Sequence, residues 1–356
     1  MDDQVRRFVA AQKQCTYCPR LCRHACPVET ASGREALTPK FKMQTALELR
    51  ENRRALGPDA IETLWGCSAC GACEDECLHD NPVGAALYEA RALAVSRGKQ
   101  PAALSGVRAA FEQRVFLRED LDKAAFAEVR RGPLRADICV LLEDSSDELA
   151  RAAFLASRRV RPDAKVASMW DADAPIVIRA GRELREAGEQ SAYDLHSARV
   201  SKALAGCKEW WVLELASLDD FEKAAALIEP RPVVRSLVEV MAGAGLGPSR
   251  RFRSVAVHLG CSVRRRPAVE EAIGVLAHRL SDDVRMPALD MPFAGCCGGR
   301  GLIGTVLPDV AGEMAAGRSS ELRDLKAEVT VTFSAPCHGM MPGAIHGVPF
   351  FAPSDW

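Results

Sequence analysis

The sequence predicts an α+β multidomain chain: an all-helical part over residues 1–132, then a pseudo-duplicated α/β part whose halves span 133–252 and 253–356. Three observations predict it. Eight of the fourteen cysteines fall in two tight runs, with helix signals between them. Beyond Arg130-Arg131-Gly132-Pro133 the pattern changes to short apolar runs alternating with amphipathic segments, as in an α/β fold with a largely parallel sheet. Finally, Ile138-Cys-Val-Leu-Leu-Glu-Asp-Ser145 lines up with Val255-Ala-Val-His-Leu-Gly-Cys-Ser262, each followed by a helix, which is a weak internal repeat.

The two runs are Cys15-x2-Cys18-x3-Cys22-x3-Cys26-Pro27 and Cys67-x2-Cys70-x2-Cys73-x3-Cys77. Short C-x2-C turns point thiolates into one small volume, and soft sulfur suits iron. In two-cluster ferredoxins the fourth ligand crosses over between runs. The expected sets are therefore Cys15, Cys18, Cys22 with Cys77, and Cys67, Cys70, Cys73 with Cys26, each for a 4Fe-4S cluster. Structural zinc also uses C-x2-C pairs, but its knuckles usually lie far apart, whereas here four cysteines crowd into each run. The chain opens Met1-Asp2-Asp3-Gln4 with no apolar leader, so the expectation is a reducing cytoplasm, where disulfides are rare.

Between the runs Thr38 can cap a helix, Pro39 suits its first turn, Lys40 to Leu56 holds no Gly or Pro, and Gly57-Pro58 is expected to stop it. Asn81-Pro82 then opens a helix through Tyr88 and Ala92 to Gly98, and a polar helix follows around Ala102 to Asp122. Expected strands are Asp137–Leu142, Lys165–Met169, Trp210–Leu215, Val255–Leu259, Ala288–Met291 and Val329–Phe333, with helices such as Glu148–Arg159 and Ala268–Leu280 between them. On the repeat, Asp144 stands where Cys261 stands, so the first half is expected to lack cluster ligands. Cys139 and Cys207 then read as buried small hydrophobes.

The second half holds Cys261, Cys296-Cys297-Gly298-Gly299 and Cys337, each expected at or just after the C-terminal end of a strand, where open α/β sheets gather ligands. Adjacent cysteines flanked by glycines mean a tight backbone and two thiolates sharing one site.

His258-Leu-Gly-Cys261, Ala294-Gly-Cys296-Cys297-Gly-Gly299 and Ser334-Ala-Pro-Cys337-His338 resemble the cysteine-rich CCG domain of heterodisulfide reductases. The same domain occurs in the iron–sulfur subunits of glycolate oxidase, anaerobic glycerol-3-phosphate dehydrogenase and lactate utilisation systems. The region in front resembles the helical two-cluster ferredoxin domains of succinate dehydrogenase iron–sulfur subunits and of the ferredoxin-like subunit of heterodisulfide reductase. The resemblance covers nearly the whole chain, either as a fusion of the ferredoxin-like and CCG subunits of heterodisulfide reductase or as a glycolate oxidase iron–sulfur subunit. It implies a third cluster, cubane or non-cubane, on Cys261, Cys296, Cys297 and Cys337, with zinc or an oxidisable thiol set as the alternatives. The full motif ends C-x-x-C and supplies five cysteines, which in heterodisulfide reductases hold a non-cubane pair of fused units. Here Ser334 replaces the fifth.

His258 and His338 lie within three residues of these cysteines and could relay a proton or hydrogen-bond a sulfur, or only satisfy backbone; His346 is farther along. Arg264-Arg265-Arg266 could hold an anion beside the site or be a solvated helix entry. Basic Arg20, Arg23, Arg34, Lys40 and Lys42 around the first run, and acidic Glu74, Asp75, Glu76 and Asp80 around the second, read as a solvated surface or as guidance for a redox partner.

Composition fits a globular chain of two or three domains: 356 residues, 27% charged, 48% hydrophobic. With 47 Lys and Arg against 48 Asp and Glu there is no basic face for nucleic acid, and no effector helix for a redox-sensing regulator. No stretch approaches a membrane span. No G-x-G-x-x-G follows an expected strand, so flavin or nicotinamide chemistry is assigned to a partner. The expected function is an electron-transfer subunit in a hetero-oligomer, cytoplasmic or peripheral at the inner membrane through a partner. That partner is a flavoprotein dehydrogenase, a membrane quinone-reactive subunit, or both. The alternative is a catalytic subunit that reduces a disulfide at the CCG cluster.

Overall fold

The computed structural model describes residues 3–19, 22–116, 135–141, 143, 157, 159–167, 179–245, 247–248, 250–288 and 295–346. It is a mixed helical and sheet protein with a helical N-terminal part. Helix α1 (Asp3–Tyr17) buries Phe8, Ala11, Gln12 and Cys15, which are helix-spaced and lie on one face. The sequence reading placed no helix there. After α2 (Pro27–Ser32), helix α3 (Pro39–Arg50) starts as expected: the Thr38 hydroxyl accepts the Phe41 N–H at 3.4 Å and Pro39 fills the first turn.

Helix α3 ends at Arg50 rather than Leu56, and Asn52 follows in the left-handed region at φ 55°. Gly57-Pro58 does not stop that helix but opens the next, α4 (Pro58–Trp65), with proline in its first turn. The short α5 (Ala72–Asp75) and α6 (Val83–Ser96) complete the wrap around a core of Phe8, Met43, Leu49, Leu64, Trp65 and Leu87. The helix expected from Ala102 is a 3-10 turn, Ala102–Leu104, followed by α7 (Val107–Phe116); its expected end falls outside the described residues.

Strands β1 (Arg135–Leu141), β2 (Val166–Ala167), β3 (Gly206–Val212) and β4 (Val233–Ser236) form an all-parallel sheet ordered β2-β1-β3-β4. Helices α8 (Arg182–Ala187), α9 (Gln190–Leu204) and α10 (Leu218–Ala225) lie along the chain between its strands, and α11 (Leu237–Gly243) follows β4. A second all-parallel sheet, ordered β6-β5-β7-β8, comprises β5 (Val255–His258), β6 (Val284–Arg285), β7 (Val329–Thr332) and β8 (Ala344–His346). With it come α12 (Pro267–Leu280), α13 (Ile303–Val306), α14 (Pro308–Asp324) and α15 (Ala335–Met340).

The short strands β4 and β8 had no counterpart in the sequence reading, since four and three residues carry too little pattern. The strand expected over Ala288–Met291 falls mostly outside the described residues, and β5 instead pairs with β6, a few residues earlier. The expected helix Glu148–Arg159, and Asp144 of the repeat, also fall mostly or wholly outside them.

Ile138, Val140, Trp211 and Leu213 of the first half share one core with Val255, Val257, Val331 and Phe333 of the second. Helices α11 and α12 pack between the halves, contributing Val238, Met241, Ile273 and Leu276 to that core. The reading of Cys139 and Cys207 as unbonded hydrophobes is corrected. Both are buried, but neighbouring parallel strands bring their Cα atoms to 6.1 Å and a disulfide joins them.

Candidate metal centres

Three groups of cysteines assemble, and each mixes residues from distant parts of the chain. In the first group, Cys15 ends α1 and Cys18 and Cys22 follow it, while Cys77 arrives from the second run. Burial, then the neighbouring thiolates of Cys77, Cys22 and Cys18, push the Cys15 thiol up to about 12. Cys22 is pushed up to about 11 by burial, then Cys77 and Cys18. The Asn81 side-chain amide donates to Cys15 Sγ at 3.4 Å.

In the second group Cys26, Cys67, Cys70 and Cys73 meet above α3. Burial, then Cys26, Cys70 and Cys67, raise Cys73 well above the ordinary thiol range. Lys42 lies wholly inside, its ammonium donating to Cys26 Sγ at 3.5 Å, and the Ala69 N–H donates to Cys67 Sγ at 3.3 Å. Burial alone would lower the Lys42 pKa, but the Cys26, Cys67 and Cys73 thiolates outweigh it and raise it. The reading of Lys42 as part of a solvated surface is therefore corrected. Nothing in Lys40-Phe-Lys42-Met43 tells which lysine turns inward.

The third group occupies the C-terminal ends of β5 and β7. Cys261 follows β5 in a 3-10 turn, Cys337 lies in the first turns of α15 after β7, and Cys296-Cys297 come from the loop before α13. All four are buried. Gly260 packs so closely that a Cβ there would lie 2.9 Å from Cys337 Sγ, and the Gly298 N–H donates to Cys296 Sγ at 3.4 Å.

The four divide into two contacts. Cys297 faces Cys337 and His258, with one ligand atom from each of the three within 4.8 Å of the others. The Cys337 thiol and the His258 ring hold the Cys297 thiol well below its usual range. Cys296 faces Cys261 and, across the boundary with the helical part, Cys70; its own pKa is raised well above normal by both contacts. So the second and third groups adjoin through Cys70 and Cys296, which no spacing could reveal.

These sets suit iron–sulfur clusters. Left bare, the raised thiols of Cys15, Cys22, Cys67, Cys73, Cys296 and Cys337 would stay protonated, while Cys70, Cys261 and Cys297 are held low by hydrogen bonds from neighbouring thiols; a bound metal deprotonates coordinating thiols outright. Amide and ammonium donors already aim at Cys15, Cys26, Cys67 and Cys296, as sulfur carrying negative charge requires.

Ser334, at the place of the fifth motif cysteine, donates to Glu214 Oε1 at 3.2 Å, and the Ala335 N–H donates to Glu214 Oε2 at 2.7 Å. Glu214 comes from the turn after β3 and is buried. Beside a carboxylate a serine alkoxide is electrostatically disfavoured, so the geometry gives Ser334 a neutral hydroxyl role. His338 is exposed, and His346 pairs with Thr332 in the sheet.

The arginine run is a clamp rather than a free anion site. Arg264 and Arg265 pair with Asp75, Arg265 also with Glu74 at 3.0 Å, and Arg266 with Asp219 and with Glu222 at 2.7 Å. One tripeptide thus ties the helical part, the first half and the second half together. The acidic residues Glu74 and Asp75, read as solvated or partner-facing, are turned inward by it. Asp75→Asn should cost roughly 2–4 kcal/mol, because Arg264 is left buried with its charge poorly matched. Arg253→Ala, breaking the exposed pair with Glu328 at 3.5 Å, should cost under about 1 kcal/mol. Denaturant unfolding of both variants checks the contrast, and equal losses would contradict it.

A cavity of about 210 Å³ opens beside this clamp, lined by Cys70, Tyr88, Arg185, Cys261, Arg264 and Arg300 among others. Residues the sequence reading missed include Arg91, Glu214, Arg300 and Arg318, all buried. For Arg91 a charged residue inside an apolar helix is the sequence signal, whereas Glu214 and Arg300 lie outside helices and Arg318 in a polar one.

Residues 11–81 match the family model of the 4Fe-4S dicluster domain, and residues 255–342 match that of the cysteine-rich domain. The first match contains both N-terminal runs and the second contains Cys261, Cys296, Cys297 and Cys337. No curated protein matches the chain. Among the described residues no helix is long and apolar enough to cross a membrane.

Proposed function

We propose that this chain, with a 4Fe-4S dicluster domain ahead of a cysteine-rich domain, is an electron-transfer subunit of a multisubunit oxidoreductase, holding two 4Fe-4S clusters and a third cluster at the CCG site. The observation that carries the reading is the contact between Cys70 and Cys296, which joins the second cysteine group to the third inside the protein. Bound clusters would supply one-electron steps. The chain's own residues hold the sulfurs, exclude water and offset negative charge. Lys42 and Arg91 lie near Cys67, and Arg300 lies near Cys261.

Partners are proposed to be a flavoprotein dehydrogenase, a quinone-reactive membrane subunit, or both, with the chain itself in the cytoplasm. The two α/β halves, which share one strand order, are proposed to be a pseudo-duplicated pair of which only the second carries cluster ligands.

Anaerobically prepared protein should carry close to twelve iron and twelve sulfide, about four of each per cluster. Eight of each would remove the third cluster, and zinc with no visible absorbance would overturn the account. The isolated chain should take electrons from a strong reductant yet turn over no substrate without a partner.

The 210 Å³ cavity reaching Cys261 favours a second reading, in which the CCG site itself reduces a small disulfide. Disulfide reduction by the purified chain alone, lost in Cys297→Ser, would establish that reading instead.

A further inference from the structure

His258, Cys297 and Cys337 together look like three ligands of one metal. The hydrogen bonding says otherwise for the histidine. Ligation by Nε2 needs a free lone pair there, so the ring proton would have to sit on Nδ1. Nδ1, however, lies 3.1 Å from Arg318 Nε, and a guanidinium has only N–H groups to offer. Nδ1 is therefore the acceptor, and the proton of the neutral ring is on Nε2.

Nothing nearby loosens this arrangement. Arg318 is 2% exposed and is tied by Nη1 to Glu321 at 2.7 Å; His258 is 1% exposed, so water does not compete for either nitrogen. Its backbone is fixed as well, since His258 ends the wholly buried strand β5 and pairs with Thr332 of β7.

We propose that His258 is a positioning residue: its buried Nε2, which has no hydrogen-bond partner among the described residues, is an N–H donor for the Cys297–Cys337 sulfur pair beside it, locked in one tautomer by Arg318, and His258 is not a ligand of the group bound there. The inference rests on the reading of the CCG site as a cluster site. A donor aimed at ligand sulfur stabilises the state in which that sulfur carries more negative charge, which is the reduced state. His258 thereby raises the affinity of the third centre for an electron without touching the other two.

The test uses the full chain, prepared anaerobically, with iron and zinc counted and the three centres titrated by spectroscopically monitored reduction. His258→Leu removes the donor, while His258→Gln keeps an N–H near the position of Nε2. The expected result is unchanged iron in both. The third centre should be about tenfold harder to reduce in His258→Leu, a fall of about 59 mV for a one-electron couple, and within about threefold of the original in His258→Gln. The N-terminal centres serve as internal controls and should not move.

An unshifted third centre in His258→Leu, or selective loss of its metal in both variants, overturns the proposal, the latter by making His258 a ligand. If His258→Leu does not fold, Arg318→Leu decides, because it frees the ring to place its proton on Nδ1. A lower potential with metal retained supports the proposal, and an unchanged one overturns it. Failure of the underlying reading is distinct: the unsubstituted chain would then hold iron for only two clusters, and the proposal falls with it.

Discussion

Cys77→Ala is expected to abolish the centre of Cys15, Cys18 and Cys22, although Cys77 lies in the other run. The reason is spatial. Cys77 is the neighbouring thiolate that acts most strongly on both Cys15 and Cys22, while the second group draws its distant member, Cys26, from the first run. The variant should lose about four iron and four sulfide, and one of the two N-terminal reduction signals, with the other intact. Loss of the signal from the Cys67, Cys70 and Cys73 group would show that each run binds its own cluster. The mirror experiment, Cys26→Ala, should remove that second signal and, by way of Cys70 and Cys296, slow reduction of the CCG site.

Arg91→Met is expected to be the most destabilising single change outside the cysteines. The Arg91 guanidinium is wholly buried and donates to the carbonyls of Leu64 and Glu186 at 3.0 Å, Cys67 at 2.8 Å, and Trp65 and Gly301 at 3.4 Å. Those carbonyls belong to the helical part, the first half and the second half. It also stacks 5.2 Å from the Tyr88 ring. Methionine leaves five carbonyl acceptors, four of them in buried hydrogen bonds, without this donor, so a loss of roughly 3–5 kcal/mol is expected in denaturant or thermal unfolding. Arg91→Lys should recover little of it, because a single ammonium cannot reach five carbonyls set in a fork. A loss under about 1 kcal/mol would mean that the three parts hold together without this hub.

Much of this architecture was legible in the residues. Thr38-Pro39 marked a helix start, and the buried strand β5 was readable from Val255-Ala-Val because a strand covered on both faces reads as a continuous apolar run. The C-terminal strand ends carried Cys261 and Cys337 as expected. What the sequence withheld were contacts between distant parts. Arg264-Arg265-Arg266 looked like an open basic patch because its acidic partners lie up to about 190 residues away. Lys42 looked like surface because nothing local distinguishes it from Lys40. Helix α1 stayed hidden because its apolar face is thin: only Phe8, Ala11, Gln12 and Cys15 turn inward. The helix after Thr38 was read too long because a left-handed asparagine at position 52 stops a chain as glycine does.

The meeting of Cys70 with Cys296 also governs how the protein can be built. Both sulfurs are buried at a seam that the arginine clamp and Arg91 hold shut. At Gly301 the seam is so close that a Cβ would overlap the Cys67 carbonyl oxygen. The 210 Å³ cavity lined by Cys70 and Cys261 opens at this seam, so it offers iron and sulfide an approach once the parts have closed, past Arg264 and Arg300 on its wall. Loading of the folded chain would then be set by that opening rather than by folding itself.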